Sequence, residues 1–528
     1  MASFAFLLLI LAGSGGLQPQ SAHADSWIPV SGTGSTWSQN ALDQWRKNVA
    51  ANYGMTINYS GVGSSAGRRD FLQGTVDFAV SEIPFQSKPE DGSAAEVPAT
   101  GFAYMPIVAG GTSFMYNLKI GGKKVTNLRL GGETVTKIFT GVITNWNDPQ
   151  IAADNPGLAM PDRAIVPVVR SDGSGSTAQF TLWMSKQYPA LWSSFCIAVK
   201  RAAGCGLTSQ YPTFGGAKAQ NGSLGVAGYV GQDYGEGAIT YVEYSYALKS
   251  GFPVAKVLNA AGYYVEPTAS SVAVALLKAQ INTTAGSPDY LTQILDGVYN
   301  NADNRTYPLS SYSYMIVPTE VAGIFTAAKG ATLGAFTNYM LCEGQQQAAA
   351  LGYSPLPMNL VLAGFDQIKK IPGADVSGVD INSCNNPTFK AGDSPANNQL
   401  AVSAPAPADC DKQGPNQCTT GTAGAPADTA VTGTGTGGSA SGAVTPAAVV
   451  TGSAVATGDA AVYDANGALV SGTSALSGSA VSTPFTVADS GIGPQQLLML
   501  FAALLLIAAI VLPPFVSKRL RRPVDPHS

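Results

Sequence analysis

The sequence up to about residue 383 predicts an α/β fold, on two observations. Short apolar, β-branched runs such as 165–169 alternate with amphipathic stretches such as 178–184. Strands and helices that alternate in this way form a central sheet with helices on its faces. This part of the chain is also about 360 residues long. That length is too great for one hydrophobic core, so we expect two α/β lobes.

The most informative segment is a turn rich in glycine and serine at residues 170–177, RSDGSGST. It follows the apolar run 165–169 and opens the amphipathic stretch. The first N–H groups of a helix lack intrahelical partners and lie at the positive end of its dipole, so such a turn can bind an anion. Arg170 adds a planar fork of donors that suits an oxyanion, and Asp172 can orient it. Alone, a turn of this kind is more typical of an ordinary helix N-cap.

Two further turns of the same kind occur earlier in the chain, at residues 31–37 (SGTGSTW) and 59–67 (YSGVGSSAG). A predicted strand at 76–81 ends directly before Glu82. Ligands of open α/β sheets bind beyond the carboxyl ends of the strands, where these turns lie. We therefore expect the three helix starts and Glu82 to form one anion pocket.

These segments, together with VDFAVSE, ITNWNDP, GVAGYV and AITYVEYSYA in the same order, resemble the phosphate-binding proteins of phosphate ABC importers over about residues 27 to 383. The resemblance implies a two-lobe type II periplasmic-binding-protein fold with the ligand in an interlobe cleft. It places lobe one at 26–112 and 306–383, and lobe two at 113–305. It implies inorganic phosphate and the membrane subunits of an importer as partners, and a phosphate site made of Thr36, Trp37, Ser64, Glu82, Arg170, Asp172, Ser174, Gly175 and Ser176.

Glu82 departs from the family pattern, in which an aspartate usually accepts the proton of the bound phosphate. An ionised carboxylate is only an acceptor. A protonated phosphate therefore gives it a hydrogen bond, whereas sulfate would place two anionic groups together in a dry pocket. Glutamate can play this role, but its extra methylene moves the carboxylate. The sequence therefore leaves the choice between phosphate and sulfate open.

The same residues argue against catalysis. The only histidines are His23 and His527, and both lie outside the predicted binding region. Metal-assisted hydrolysis therefore lacks its usual ligands, so we predict no enzyme activity and no cofactor. A phosphate sensor or surface module on the same fold stays open as an alternative, and a secreted phosphatase is a weaker one. The acidic balance, 29 basic against 33 acidic residues, argues against nucleic acid as a partner.

Both ends of the chain predict export and membrane attachment. Residues 1–24 contain an apolar run and a small-residue cleavage site, and so predict a signal peptide. Residues 497–516 carry no charge and are long enough to span a bilayer. The basic tail 517–528 that follows places the C-terminus in the cytoplasm. We therefore predict a single-pass protein of the cell membrane whose binding domain lies outside.

Residues 386–490 are rich in Gly, Ala, Thr and Ser and have few aromatic side chains. Such a composition buries too little apolar surface to fold alone, so we predict a flexible linker. Within it, residues 460–471 contain a DANG turn that predicts a weak hairpin.

The six cysteines are an even number in an exported chain, which predicts structural disulfides. Metal binding is the alternative, but the spacing lacks C-x-x-C pairs. Two pairs are close in the sequence and suggest short-loop disulfides, Cys196 with Cys205 and Cys410 with Cys418. A bond between Cys342 and Cys384 would complete the set.

Overall fold

A computed structural model describes residues 27–89, 92–201, 205–284, 287, 292–395, 397–422 and 425, and two short strands at 462–463 and 469–471. The chain divides into two units, Met1–Gly438 and Ser439–Ser528.

In the first unit the strands are β1 (Val30–Gly34), β2 (Ile57–Gly61), β3 (Phe78–Ser81), β4 (Phe102–Tyr116), β5 (Lys119–Ile120), β6 (Lys123–Lys124), β7 (Arg129–Leu130), β8 (Val166–Arg170), β9 (Lys218–Gln220), β10 (Ala238–Glu243), β11 (Lys256–Leu258), β12 (Tyr264–Val265), β13 (Gln280–Ile281), β14 (Gln293–Ile294) and β15 (Ser310–Pro318). The helices are α1 (Gln39–Tyr53), α2 (Ser64–Leu72), α3 (Gly132–Phe139), α4 (Pro149–Asp154), α5 (Gly175–Gln187), α6 (Pro189–Ala198), α7 (Gly222–Val230), α8 (Tyr244–Ser250), α9 (Ala269–Leu276), α10 (Asp296–Tyr299), α11 (Ala327–Leu341), α12 (Met358–Ile368) and α13 (Gln399–Ser403).

Eight of these strands form one mixed sheet in the order β2-β1-β3-β15-β4-β10-β8-β9. The long strand β4 belongs to both halves of this sheet, because its residues 102–111 pair with β15 and its residues 112–116 pair with β10. We call β2, β1, β3 and β15 the first half of the sheet, and β10, β8 and β9 the second half. The predicted α/β fold is therefore confirmed. The exact lobe boundaries stay a prediction.

Parallel pairing positions the site. Strand β1 runs parallel to β2 and β3 in the first half, and β8 runs parallel to β10 in the second half. Parallel strands have their carboxyl ends at the same edge of a sheet. The two halves run in opposite directions, because β3 runs with β4 and β10 runs against it. Since the first half pairs with the earlier part of β4 and the second half with its later part, the carboxyl ends of the two halves face each other where they meet. The residues that follow β1, β3 and β8 therefore come together, namely the segment from Ser35, then Glu82, and the turn from Arg170.

Helix α2 lies very close to β1 at this edge. A Cβ on Gly67 would lie 2.3 Å from the Cα of Gly34, which is closer than any side chain can approach. Glycine at 67 lets the first turn of α2 reach the strand end. The turn YSGVGSSAG ends in Gly67, which has no side chain to keep α2 away from β1. The turn can therefore place Ser64 beside the site.

The predicted start of the flexible linker at residue 386 was wrong. Residues 386–395 and 397–422 lie on the body: the Asn386 side-chain amide donates to the carbonyl of Leu341 at 3.1 Å, and the Lys256 ammonium pairs with Asp411 at 2.8 Å. Phe389 is buried. Composition averaged over about a hundred residues concealed this segment, because hydrogen bonds and one ion pair hold it and apolar surface contributes little. Residues 426–461 lie outside the described part of the chain.

All three predicted disulfides are confirmed. The bonds are Cys196–Cys205, Cys342–Cys384 and Cys410–Cys418. The last one closes a loop within the C-terminal segment that packs on the body.

In the second unit, β16 (Val462–Tyr463) pairs antiparallel with β17 (Leu469–Ser471), which confirms the predicted hairpin. Among the described residues, no helix combines the length and apolar character needed to cross a bilayer. The predicted signal peptide 1–24, membrane span 497–516 and basic tail 517–528 lie outside those residues.

Candidate functional site

Arg170, the last residue of β8, forms the cationic end of the site. Its side chain is 2% exposed, and its guanidinium forms a two-pronged ion pair with Asp172, with Nε donating to Oδ1 at 2.7 Å and Nη2 donating to Oδ2. The backbone N–H of Gly222, at the start of α7, also donates to Asp172, at 2.9 Å. Burial alone would raise the pKa of the Asp172 carboxyl, but the hydrogen bonds and charge of Arg170 outweigh burial and lower that pKa. The two-pronged contact therefore fixes the direction of the Arg170 side chain.

The first turn of α5 faces the same point. Ser174 is its N-cap residue and accepts from the N–H of Thr177 at 3.2 Å. The N–H of Gly175 donates across the site to the Ser64 hydroxyl at 3.1 Å. The hydroxyl of Ser176 is buried and has no hydrogen-bond partner among the described residues. Such an unpaired buried hydroxyl is available to a ligand.

Glu82 forms the anionic end of the site and is 1% exposed. Three serine hydroxyls donate to its carboxylate: Ser35 and Ser313 to Oε1, and Ser64 to Oε2, the last two at 2.8 Å. A Cβ on Gly175 would lie 1.8 Å from Oε2. Glycine at this first position of α5 is what lets the Glu82 carboxylate reach the helix start. The carboxylate thus faces the pocket and not the solvent.

Thr36 and Trp37 complete the predicted set. The Thr36 hydroxyl lies 2.9 Å from the hydroxyl of Ser223 and accepts from the Ser223 N–H at 3.1 Å. The N–H of Trp37, predicted as a ligand donor, donates to the Ser35 hydroxyl at 3.0 Å. The indole is buried and packs edge-on against Tyr353, with ring centroids 5.7 Å apart. The ring therefore has a packing role in addition to any role of its backbone.

The two halves of the sheet touch directly at the site. Thr36 contacts Ser223, and Ser64 contacts Gly175. The N–H of Ser65 also donates to the carbonyl of Gly173 at 3.1 Å. The structure therefore holds the site in a closed arrangement, in which predicted binding residues of one half use their donors on residues of the other. All nine predicted residues lie in this one cluster.

Three participating residues were missed from the sequence. Ser35 stands inside the SGTGSTW segment, next to the predicted Thr36. Ser223 is the second residue of α7 and follows Gly222. This glycine–serine helix start is of the same kind as the predicted ones, so Ser223 could have been predicted from the sequence. Ser313 lies within β15, where a single serine in a buried strand gives no local signal.

The described residues contain no group of three or more His, Cys, Asp or Glu side chains that could hold a metal ion. One arginine, several hydroxyls and the starts of α2, α5 and α7 surround an acceptor carboxylate at the edge of a two-part α/β sheet. This combination defines a solute-binding protein with an oxyanion site, since helix starts and hydroxyls bind oxyanions without a metal.

Comparison with known proteins shows to which family of solute-binding proteins this chain belongs. A family profile described as "PBP superfamily domain" matches residues 17–343. The chain is 34% identical over 343 residues to the phosphate-binding protein PstS of Xylella fastidiosa (strain Temecula1), which covers 65% of this chain and 85% of that protein. It is 30% identical over 368 residues to PstS of Pasteurella multocida, covering 68% and 94%. The chain therefore belongs to the phosphate-binding protein family of the PBP superfamily, and the predicted resemblance is confirmed.

A solved structure shows the same fold. It is a high-affinity periplasmic phosphate-binding protein bound with phosphate, which aligns with a TM-score of 0.50 at 20% identity and covers 69% of this chain and all of that one.

Proposed function

We propose that this protein is an extracytoplasmic receptor, attached to the cell membrane by residues 497–516, that binds inorganic phosphate in its interlobe cleft and delivers it to an ABC importer. The observation that carries the proposal is the pairing of opposite ends in one pocket. Arg170, held by Asp172, supplies positive charge, while Glu82 supplies a buried acceptor. A tetrahedral oxyanion that carries a proton satisfies both ends at once.

The charges of the site favour a protonated ligand. Arg170 contributes one positive charge, and Asp172 and Glu82 contribute one negative charge each. The site alone is therefore net negative by one. Sulfate has no proton to donate, so one of its oxygens would lie against the Glu82 carboxylate with no hydrogen bond between them, which is costly in a buried pocket. Hydrogen phosphate instead donates to Glu82 and accepts from the helix starts and hydroxyls.

The remaining predicted residues have roles in this scheme. Thr36, Ser174 and Ser176 offer hydroxyls, and Trp37 and Gly175 offer backbone N–H groups. The Ser64 hydroxyl lies beside the ligand and donates to Glu82. The direct contacts Thr36–Ser223 and Ser64–Gly175 must break for a ligand to enter, because they use the same donors. In the phosphate-bound closed form, contacts to phosphate replace these contacts between the two halves. Phosphate therefore stabilises the closed form through the contacts that it makes only in that form.

Location and delivery are supported by the ends of the chain and by the relatives. The relatives are named phosphate-binding proteins. The disulfides fit an oxidising compartment outside the cytoplasm. The apolar run 497–516 and the basic residues after it support a membrane anchor with the body outside.

Calorimetric titration of the purified full chain in detergent tests this function. We expect one-to-one binding of inorganic phosphate that EDTA does not change, and weaker binding of sulfate and of a phosphomonoester. No heat with phosphate, or binding that EDTA abolishes, would overturn the proposal.

A further inference from the structure

Glu82 is surrounded by more hydroxyls than the predicted ligand set contains. Ser64 belongs to that set, but Ser35 and Ser313 do not. Both lie fully inside the protein, 1% and 0% exposed, and both reach Oε1 of Glu82. They come from different places in the fold, Ser35 from the end of β1 and Ser313 from β15. Their convergence on one oxygen therefore requires the tertiary structure.

The hydroxyl protons all point toward the carboxylate. A serine hydroxyl has one proton to donate. The Ser35 oxygen accepts from the N–H of Trp37, and the Ser64 oxygen accepts from the N–H of Gly175, so each hydroxyl acts as an acceptor there and keeps its own proton for Glu82. The Ser313 oxygen lies 2.8 Å from the carboxylate, closer than its next neighbour Ser38 at 3.2 Å. The charged acceptor thus receives the proton of each of the three serines.

This arrangement leaves the carboxylate one free direction. An ionised carboxylate has about four lone-pair sites. Two hydroxyls fill Oε1 and one fills part of Oε2. Oε2 itself lies beside Gly175 at the start of α5. A ligand held by that helix start would meet it.

We propose that Ser35 and Ser313 are positioning residues, which hold the Glu82 carboxylate aimed at the α5 helix start and so restrict the pocket to tetrahedral oxyanions that bring their own proton. The inference rests on the proposed function and specifies its ligand class, hydrogen phosphate and chemically similar hydrogen oxyanions. Two fixed hydroxyls also remove the extra rotational freedom that glutamate has relative to the family's usual aspartate.

The test compares Ser35→Ala and Ser313→Ala with Ser311→Ala. Ser311 is the matched control, because it lies two residues from Ser313 on the same strand and is buried, yet its hydroxyl has no hydrogen-bond partner among the described residues. The readout is the ratio of phosphate to sulfate affinity, measured by titration of the full chain in detergent. We expect the ratio to fall about tenfold in each of the first two variants, the size of one charge-assisted hydrogen bond, and to stay at the parental value in Ser311→Ala.

Two further variants exclude a general structural effect. Ser313→Thr keeps the hydroxyl and should keep the parental ratio. In a Glu82→Gln background, Ser313→Ala should change the ratio no further, because the serine acts through the carboxylate. If Ser313→Ala does not fold, Ser35→Ala carries the same test.

A ratio that is unchanged in Ser35→Ala and Ser313→Ala, or a Ser313→Ala effect that adds in full to that of Glu82→Gln, overturns the inference while leaving phosphate binding intact. A parent protein that binds no phosphate overturns the proposed function itself, so the two failures are distinguishable.

Discussion

The two ends of the pocket are built in opposite ways. At the cationic end, Arg170 is fixed by Asp172, which lies two residues away in the chain and carries a full charge. At the anionic end, Glu82 is fixed by neutral hydroxyls that lie 18, 47 and 231 residues away. The cationic end is formed by residues that are close together in the sequence, so a single turn of the chain is enough to build it. The anionic end exists only when the sheet has formed. The position of Glu82, which is proposed to select the ligand, therefore depends on tertiary packing more than the position of Arg170 does.

The largest loss of phosphate affinity is expected when Arg170 is removed from the cationic end. Arg170→Ala removes the only positive charge of the predicted site. Charged hydrogen bonds contribute about 1.5–3 kcal/mol each, so the loss of two such bonds to phosphate should lower phosphate affinity at least about 100-fold. Titration calorimetry of the full chain measures this loss. Arg163→Ala is the control, because that arginine lies on the surface with a 43% exposed side chain. Parental affinity in Arg170→Ala would mean that phosphate binds elsewhere.

The next effect concerns the other end. Glu82→Gln removes the charge and adds N–H donors, so sulfate should gain relative to phosphate by about 1–3 kcal/mol. Glu82→Asp keeps the carboxylate and should keep the preference for phosphate. Competition titrations of the three proteins with both anions measure the ratio. The same ratio in all three proteins would show that the carboxylate does not select the ligand.

Asp172→Asn should weaken phosphate binding less than Arg170→Ala does, because the arginine stays but loses its orienting partner. We expect a loss of about 1–2 kcal/mol. Titration of both variants in the same buffer gives the order. A larger loss in Asp172→Asn than in Arg170→Ala would reverse the assigned roles.

The same pair predicts a pH dependence of stability. The pKa of Asp172 is lowered in the folded protein, so its charge stabilises the fold above the ordinary pKa of an aspartate. That contribution is lost as the pH falls through the lower, folded value. Urea unfolding of the parent and Asp172→Asn should therefore show a difference at neutral pH that shrinks in acid. A difference that grows in acid would contradict the assigned ion pair.

The smallest effect is expected for Ser223→Ala. This hydroxyl contacts Thr36 at 2.9 Å and Arg170 at 3.3 Å, and so lies between the two halves of the sheet on the cationic side. A neutral hydrogen bond contributes about 1 kcal/mol, so phosphate affinity should fall less than tenfold. Ser311→Ala again serves as the control for a buried serine. A loss as large as that of Arg170→Ala would give Ser223 a role not assigned here.

The comparison also explains what the sequence could predict. Arg170, Asp172 and the first turn of α5 lie in one continuous segment, and their chemistry could be predicted from spacing alone. Ser313 could not, because its position against Glu82 follows from the pairing of β15 with β3 and β4. The packed segments 386–395 and 397–422 were missed for a related reason. Contacts such as Lys256–Asp411 join residues 155 positions apart, and composition carries no trace of them.

The central claim is that phosphate binds between Arg170 and Glu82 with its proton on the glutamate side. A crystal structure of the chain with phosphate tests it most directly. We predict phosphate oxygens within hydrogen-bonding distance of the Arg170 guanidinium and the α5 helix start, and one oxygen within that distance of Glu82 Oε2. Phosphate bound elsewhere, or bound here with the Glu82 carboxylate turned away from it, would contradict the account.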